Sequence, residues 1–118
     1  GTNDAFGVDN FEEQMRRIVE FTISQGIVPV LGTKADNIEG DHSINAILGK
    51  LAHEYDIPFW NFWLAVQPLP NHGLQPDGSH LTFGGNIFDD HFRMEAAWPW
   101  RNVTALQVVD AVRIALEK

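Results

Sequence analysis

A chain of 118 residues, 44% hydrophobic and 11% aromatic, is long enough for one domain with a packed core and too apolar for a disordered segment. A net charge of −8 with no basic stripe excludes a nucleic-acid backbone as partner. No cysteine is present, which excludes a disulfide framework and thiolate metal sites, and no apolar run reaches the ~18 residues of a membrane helix.

The opening "GTNDAFG" precedes the first helix as a strand-to-helix loop would, and it reads as the interior of a longer domain. Asn10 to Gln25 has the pattern of a helix. Asn10 and Glu13 have capping-box spacing, and Phe11, Met15, Ile18, Val19 and Thr22 share a face. Gly26 is placed to end that helix in a left-handed conformation. "IVPVLG", residues 27 to 32, is apolar at nearly every position, as expected of a strand covered on both faces. Pro29 stands against a central position, because it lacks a ladder donor.

"TKADNIEGD" reads as a polar connection. Residues 43 to 55 follow with Ile44, Ile47, Leu48, Leu51, Ala52 and Tyr55 on one helical face. "IPFWNFW" is the second predicted strand, and residues 64 to 85, rich in Pro, Gly, Asn and Asp, are predicted loop. The last helix is predicted to start near Thr104. There Thr104 and Gln107 again have capping-box spacing, with Ala105, Val109, Val112 and Leu116 as its core face. Strands alternating with helices imply a parallel sheet with right-handed crossovers.

Two stretches carry chemistry-bearing residues in predicted loops, and loops beyond the carboxyl ends of parallel strands are where open α/β sheets bind ligands. "DGSHLT" sets Asp77 three residues before His80 across Gly78, so a carboxylate can hold and polarise an imidazole, the base half of a serine-hydrolase triad. The competing reading of Asp77-Gly78 is a simple turn in which Asp77 bonds its own backbone. "GTND" opens the chain, and its Asn3 and Asp4 are also able to cap the first helix. Asp89, Asp90 and His91, with Asp41 and His42, lack the spacing of a metal site. Trp98 and Trp100 flank Pro99 and suit either a platform for an acyl chain or sugar, or an anchor for an irregular loop.

"GTND" followed by "DGSHLT" resembles the Gly-x-Asn-Asp and Asp-x-x-His blocks of the SGNH hydrolases, also called GDSL esterases and lipases. The resemblance spans the whole chain but only the C-terminal part of that family's domain. It implies a three-layer α/β/α, flavodoxin-like fold with a parallel sheet, of which residues 1–118 form the C-terminal part. It implies hydrolysis of a small carboxylic ester through an acyl-serine, with no cofactor. Asp77 orients His80, His80 is the base, and Asn3 donates to an oxyanion hole. The family's Gly-Asp-Ser block is not present. Ser24, Ser43 and Ser79 are the only serines, and none follows a predicted strand in that setting. The expectation is therefore a chain inactive alone, which associates with a missing N-terminal part of the domain or with itself. The alternatives are a non-catalytic binding module on the same fold and a carbohydrate O-deacetylase.

Overall fold

The computed structural model describes residues 1–118, apart from the side chain of Phe6. A 3₁₀ turn at Thr2–Phe6 and another at Val8–Asn10 lead into helix α1, Phe11–Ser24. Strand β1 is Leu31–Gly32, helix α2 is Ser43–Glu54 and strand β2 is Phe59–Trp60. A short helix α3, Phe62–Val66, and two further 3₁₀ turns at Pro70–Gly73 and Arg93–Glu95 precede the long helix α4, Ala97–Leu116. The fold is mixed α/β, and the two strands pair in parallel with Leu31 opposite Phe59 and Gly32 opposite Trp60.

Several boundaries follow from chemistry written in the sequence. Gly26, at φ +75°, closes α1 as a Schellman motif: its N–H bonds Ile23 O at 2.9 Å and the Ile27 N–H reaches Thr22 O at 3.2 Å. The same pattern ends α2, where Asp56 takes the left-handed position at φ 51° and Ile57 N–H bonds Ala52 O at 3.0 Å. On α2, Ile44, Leu48, Leu51 and Ala52 are buried as their spacing requires.

Other boundaries differ from the sequence expectation. Asn10 does not cap α1 with its side chain, because the preceding 3₁₀ turn runs straight into the helix and Val8 O already accepts the Phe11 N–H. The strand predicted over 27–32 is reduced to its last two residues. Ile27 N–H is taken by the end of α1 and Pro29 has no N–H to give. The second strand is cut short because a helix starts inside "IPFWNFW". Asn61 Oδ1 accepts the Leu64 N–H at 3.2 Å and Thr33 Oγ1 accepts the Trp63 N–H at 2.9 Å, so two open amides at the start of α3 are satisfied.

The last helix begins at Ala97, not near Thr104. Its first amides are capped from fifteen residues upstream: Thr82 Oγ1 accepts the Ala97 N–H at 2.8 Å and Thr82 O accepts the Trp98 N–H at 3.1 Å. Pro99 follows in the first turn, where its missing donor costs nothing. Thr104 therefore lies mid-helix. Its hydroxyl bonds Trp100 O at 2.6 Å and accepts from Trp60 Nε1 at 2.9 Å. Trp98 and Trp100 stand on this helix instead of in an irregular loop.

Two apolar clusters form the interior. Phe11, Val19, Leu31, Ile44, Leu48, Leu51 and Ala52 join α1, α2 and β1. Ala35, Phe62, Val66 and Ala97 join α3 to the start of α4, with Trp60 and Trp100 packed against them. Leu31 and Trp60 serve different clusters, as alternation along paired strands requires. The connection "TKADNIEGD" is not a solvated loop at its start, since Thr33, Lys34, Ala35 and Asp36 are all buried.

The molecule is a plate of 42 × 38 × 17 Å with a radius of gyration of 15.2 Å, against about 13.5 Å for a compact chain of this length. Its accessible surface is 7570 Å², where roughly 6,500 Å² is usual for this mass. The excess is apolar in part. Phe21 on α1 is 66% exposed and Val109 on α4 is 62% exposed, and Ile18, Ile27, Val28, Leu106 and Leu116 are also open to solvent. Ile18, Val109 and Leu116 were expected on core faces and are exposed.

Candidate functional site

The stretch "LQPDGSHL" folds into a small closed loop. Leu74 and Leu81 form an isolated antiparallel bridge at its base, and the Gln75 N–H bonds His80 O at 2.8 Å. Inside it, Gly78 N–H bonds Gln75 O at 2.9 Å, with Pro76 and Gly78 at positions that β-turns favour. Gly78 has φ +72°, a region closed to most side-chain-bearing residues.

Asp77 does two things at once. Its Oδ1 accepts the backbone N–H of Ser79 at 2.9 Å and of His80 at 3.0 Å, the Asx turn its sequence suggests. Its Oδ2 lies 2.6 Å from His80 Nδ1. The turn reading and the pair reading are one arrangement, because one oxygen serves each. The two amides, then the imidazole, hold the Asp77 carboxyl down to about 2. An ionised carboxylate has no proton to donate, so the neutral imidazole carries its hydrogen on Nδ1. Its Nε2 lone pair is then free to accept a proton, the tautomer a general base requires. The His80 side chain is 75% exposed and that of Asp77 47%.

Thr82 ties this loop to the fold. Besides capping α4, its N–H bonds Gly73 O at 2.8 Å. The Asp77–His80 pair therefore sits two residues from the cap that starts α4.

Asn3 lies on the Thr2–Phe6 turn and is exposed. Asp4 has a local role there, with Oδ2 at 3.1 Å from the Gly1 nitrogen. The turn is fastened just beyond the carboxyl end of β1, where Thr2 Oγ1 donates to Asp36 Oδ2 at 2.6 Å. Among the described residues no hydrogen bond joins Asn3 to the Asp77–His80 loop. None of the three serines bonds His80 through its hydroxyl. Ser24 Oγ bonds Phe21 O at 2.6 Å on α1, Ser43 starts α2, and Ser79 contributes its backbone N–H to Asp77.

A groove of about 340 Å³ opens at the same end of the sheet. Thr33 and Asn61, the residues directly after β1 and β2, line it with Phe59, Trp63, Asn45 and His42. His42 has φ 57° and is held there by Asn37, whose Oδ1 accepts the His42 N–H at 2.9 Å and whose Nδ2 meets Nε2 at 3.1 Å. Trp63 packs edge-on to its ring at 5.9 Å. Sequence reasoning weighed His42 only as a metal ligand and passed over Asn61 and Trp63. The signal available was the position just past the second strand, obscured because that strand was predicted to run to Trp63, three residues beyond the end of β2. Trp100 is an anchor, its Nε1 bonded to Met94 O at 2.7 Å, and Trp98 lies under the Arg101 guanidinium at 5.0 Å. Among the described residues no three His, Asp or Glu side chains are grouped to hold a metal ion. No helix is long and apolar enough to cross a membrane. No protein-family model, curated protein or solved structure matches the chain.

Proposed function

We propose that residues 1–118 carry the base half of a serine esterase site of the SGNH type. The chain would be the C-terminal part of a three-layer flavodoxin-like domain. The observation that carries this reading is the Asp77–His80 pair, with Nδ1 held at 2.6 Å by an ionised carboxylate and Nε2 left as acceptor. In the mechanism, Nε2 takes the proton of a serine hydroxyl as that oxygen attacks the ester carbonyl. The imidazolium formed is stabilised by Asp77 and returns the proton to the leaving alcohol. Water then repeats the cycle on the acyl-serine. Asn3 supplies a neutral N–H donor to the tetrahedral oxyanion.

The serine comes from outside these residues, since none of Ser24, Ser43 and Ser79 bonds His80 through its hydroxyl. The exposed apolar strip along Ile27, Val28 and Leu116 supports a partner segment, or a second copy, packing there. The groove lined by Trp63, Phe59 and Asn61 favours a second reading of the substrate, a sugar ester, because aromatic faces beside amides suit a sugar ring.

The test is a two-piece assembly that adds a Gly-Asp-Ser strand segment to residues 1–118. The chain is expected to co-sediment with that segment. A fluorophosphonate probe should label the added serine and leave Ser24, Ser43 and Ser79 unmodified. His80→Ala should lower kcat on a nitrophenyl ester by about 10⁴, and Asn3→Ala by about 10²–10³. An assembled pair whose hydrolysis ignores His80→Ala would leave a binding module as the better description.

A further inference from the structure

Lys34, Asp36 and Glu39 form a buried charged cluster outside both apolar clusters, with side chains 8%, 2% and 3% exposed. Each ammonium proton of Lys34 has an acceptor: Asp36 O at 3.0 Å, Asp36 Oδ1, and Glu39 Oε1 at 2.6 Å. The remaining carboxylate oxygens reach outward to other segments. Asp36 Oδ2 accepts the Thr2 hydroxyl at 2.6 Å, and Glu39 Oε2 accepts the Ile44 N–H at 3.1 Å in the first turn of α2. Asn45, also on α2, holds the Lys34 backbone in both directions, accepting its N–H at 2.9 Å and donating to its C=O at 2.8 Å.

Burying two carboxylates and an ammonium costs several kcal/mol per ion before their attraction is counted, so such a cluster is a poor device for stability alone. What it does have is geometry. The links made by the Lys34, Asp36 and Glu39 side chains are directional and charge-assisted, and with the two Asn45 bonds they fix three segments relative to one another: the Thr2 turn, the chain after β1, and the start of α2. A packed apolar contact would hold the same segments with less angular definition.

We propose that Asp36, locked by Lys34, is the positioning residue that sets the Thr2–Asn3 turn, and through it the direction in which the Asn3 carboxamide points. The catalytic consequence rests on the reading of Asn3 as an oxyanion donor. The clamp itself does not. Among the described residues of the turn Thr2 alone bonds the cluster through its side chain, and it is covalently next to Asn3, so a rotation of Thr2 carries Asn3 with it. Asp36 touches no substrate in this scheme; it acts through Thr2.

The clamp is tested in the 118-residue chain by backbone ¹⁵N relaxation. Wild type should give order parameters near 0.8 at Asn3 and Asp4, and Thr2→Val and Asp36→Ala should drop them below about 0.6 while α2 stays rigid. Thr2→Ser, which keeps the hydroxyl, should restore them. Unchanged values at Asn3 and Asp4 in Thr2→Val overturn the clamp. If Asp36→Ala does not fold, Thr2→Val decides alone. The catalytic consequence is read in the two-piece assembly, where Thr2→Val should lower kcat at least tenfold with KM unchanged and Thr2→Ser should recover it. Equal kcat in Thr2→Val and wild type overturns the positioning role. An inactive wild-type assembly overturns the esterase reading and leaves the relaxation result to stand or fall by itself.

Discussion

Two pairs of a carboxylate with a basic side chain are both local in sequence and opposite in surroundings. Asp77 and His80 are three residues apart and exposed, and Lys34 and Asp36 are two residues apart and buried. The exposed pair is organised from within its own turn, by Asp77 accepting two amides two and three residues further along the loop. The buried pair is organised from outside, by Thr2, Ile44 and Asn45, residues drawn from two other segments. In the first case removing a partner returns the other to water. In the second it strands a charge where water does not reach. A site meant to exchange protons with a substrate needs the first environment; a brace needs the second.

The largest expected break of this contrast is Lys34→Met. It leaves Asp36 and Glu39 buried without their cation, which should cost about 3–5 kcal/mol of unfolding free energy in a denaturant titration. A loss under about 1 kcal/mol would mean that water reaches the cluster, and the two pairs would then be alike. Gly78→Ala should cost less, about 1–2 kcal/mol. A Cβ there meets nothing within 4 Å and only the left-handed backbone at φ +72° resists it. The smaller loss would show that the exposed pair depends on local backbone and not on packing.

Acid titration sharpens the contrast with the least effect near neutrality. Burial pushes the Asp36 carboxyl up, but the hydrogen bonds from Lys34 and Thr2 outweigh it and leave it below the ordinary carboxylate range. Glu39 is lowered in the same way, with Lys34 overcoming burial. Asp77 is held down to about 2 by the Ser79 and His80 amides and then the imidazole. All three are depressed in the folded state, so their contribution is complete above the unfolded carboxylate range near 4 and is lost as pH falls through the folded values. Carboxyl ¹³C shifts followed by NMR should therefore show Asp77 half-protonated near pH 2. A midpoint near 4 for Asp77 would mean the turn is not formed in solution.

How far the sequence could be read depended on where each partner lay. The Schellman end of α1 was legible because glycine, φ sign and hydrogen bonds all lie within six residues. The end of α2 has the same geometry; the pattern over 43 to 55 placed that end, but not its left-handed cap, because Asp56 replaces the glycine that signals it. The start of α4 was misplaced by seven residues. Its cap, Thr82, is fifteen residues upstream, while Thr104 offers a capping pattern that the interior of a helix overrides through the Trp60 indole. Strand lengths were overestimated because an apolar run fixes neither pairing nor burial: Ile27, Val28 and Val30 are exposed, and Pro29 and the Asn61 cap decide where ladders stop.

The sequence by itself determined the alternation of helices with two parallel strands and the Asp77–His80 turn, whose glycine, aspartate and histidine make their hydrogen bonds within residues 75–80. Tertiary structure alone decided that Lys34 and Asp36 are buried, that Thr2 is bound to them, and that His42, Asn61 and Trp63 share a groove. The reason is that a turn is specified by short-range sterics and hydrogen bonds that the local residues carry with them. Burial and juxtaposition depend on which distant surfaces arrive, and a single strand of text does not order those.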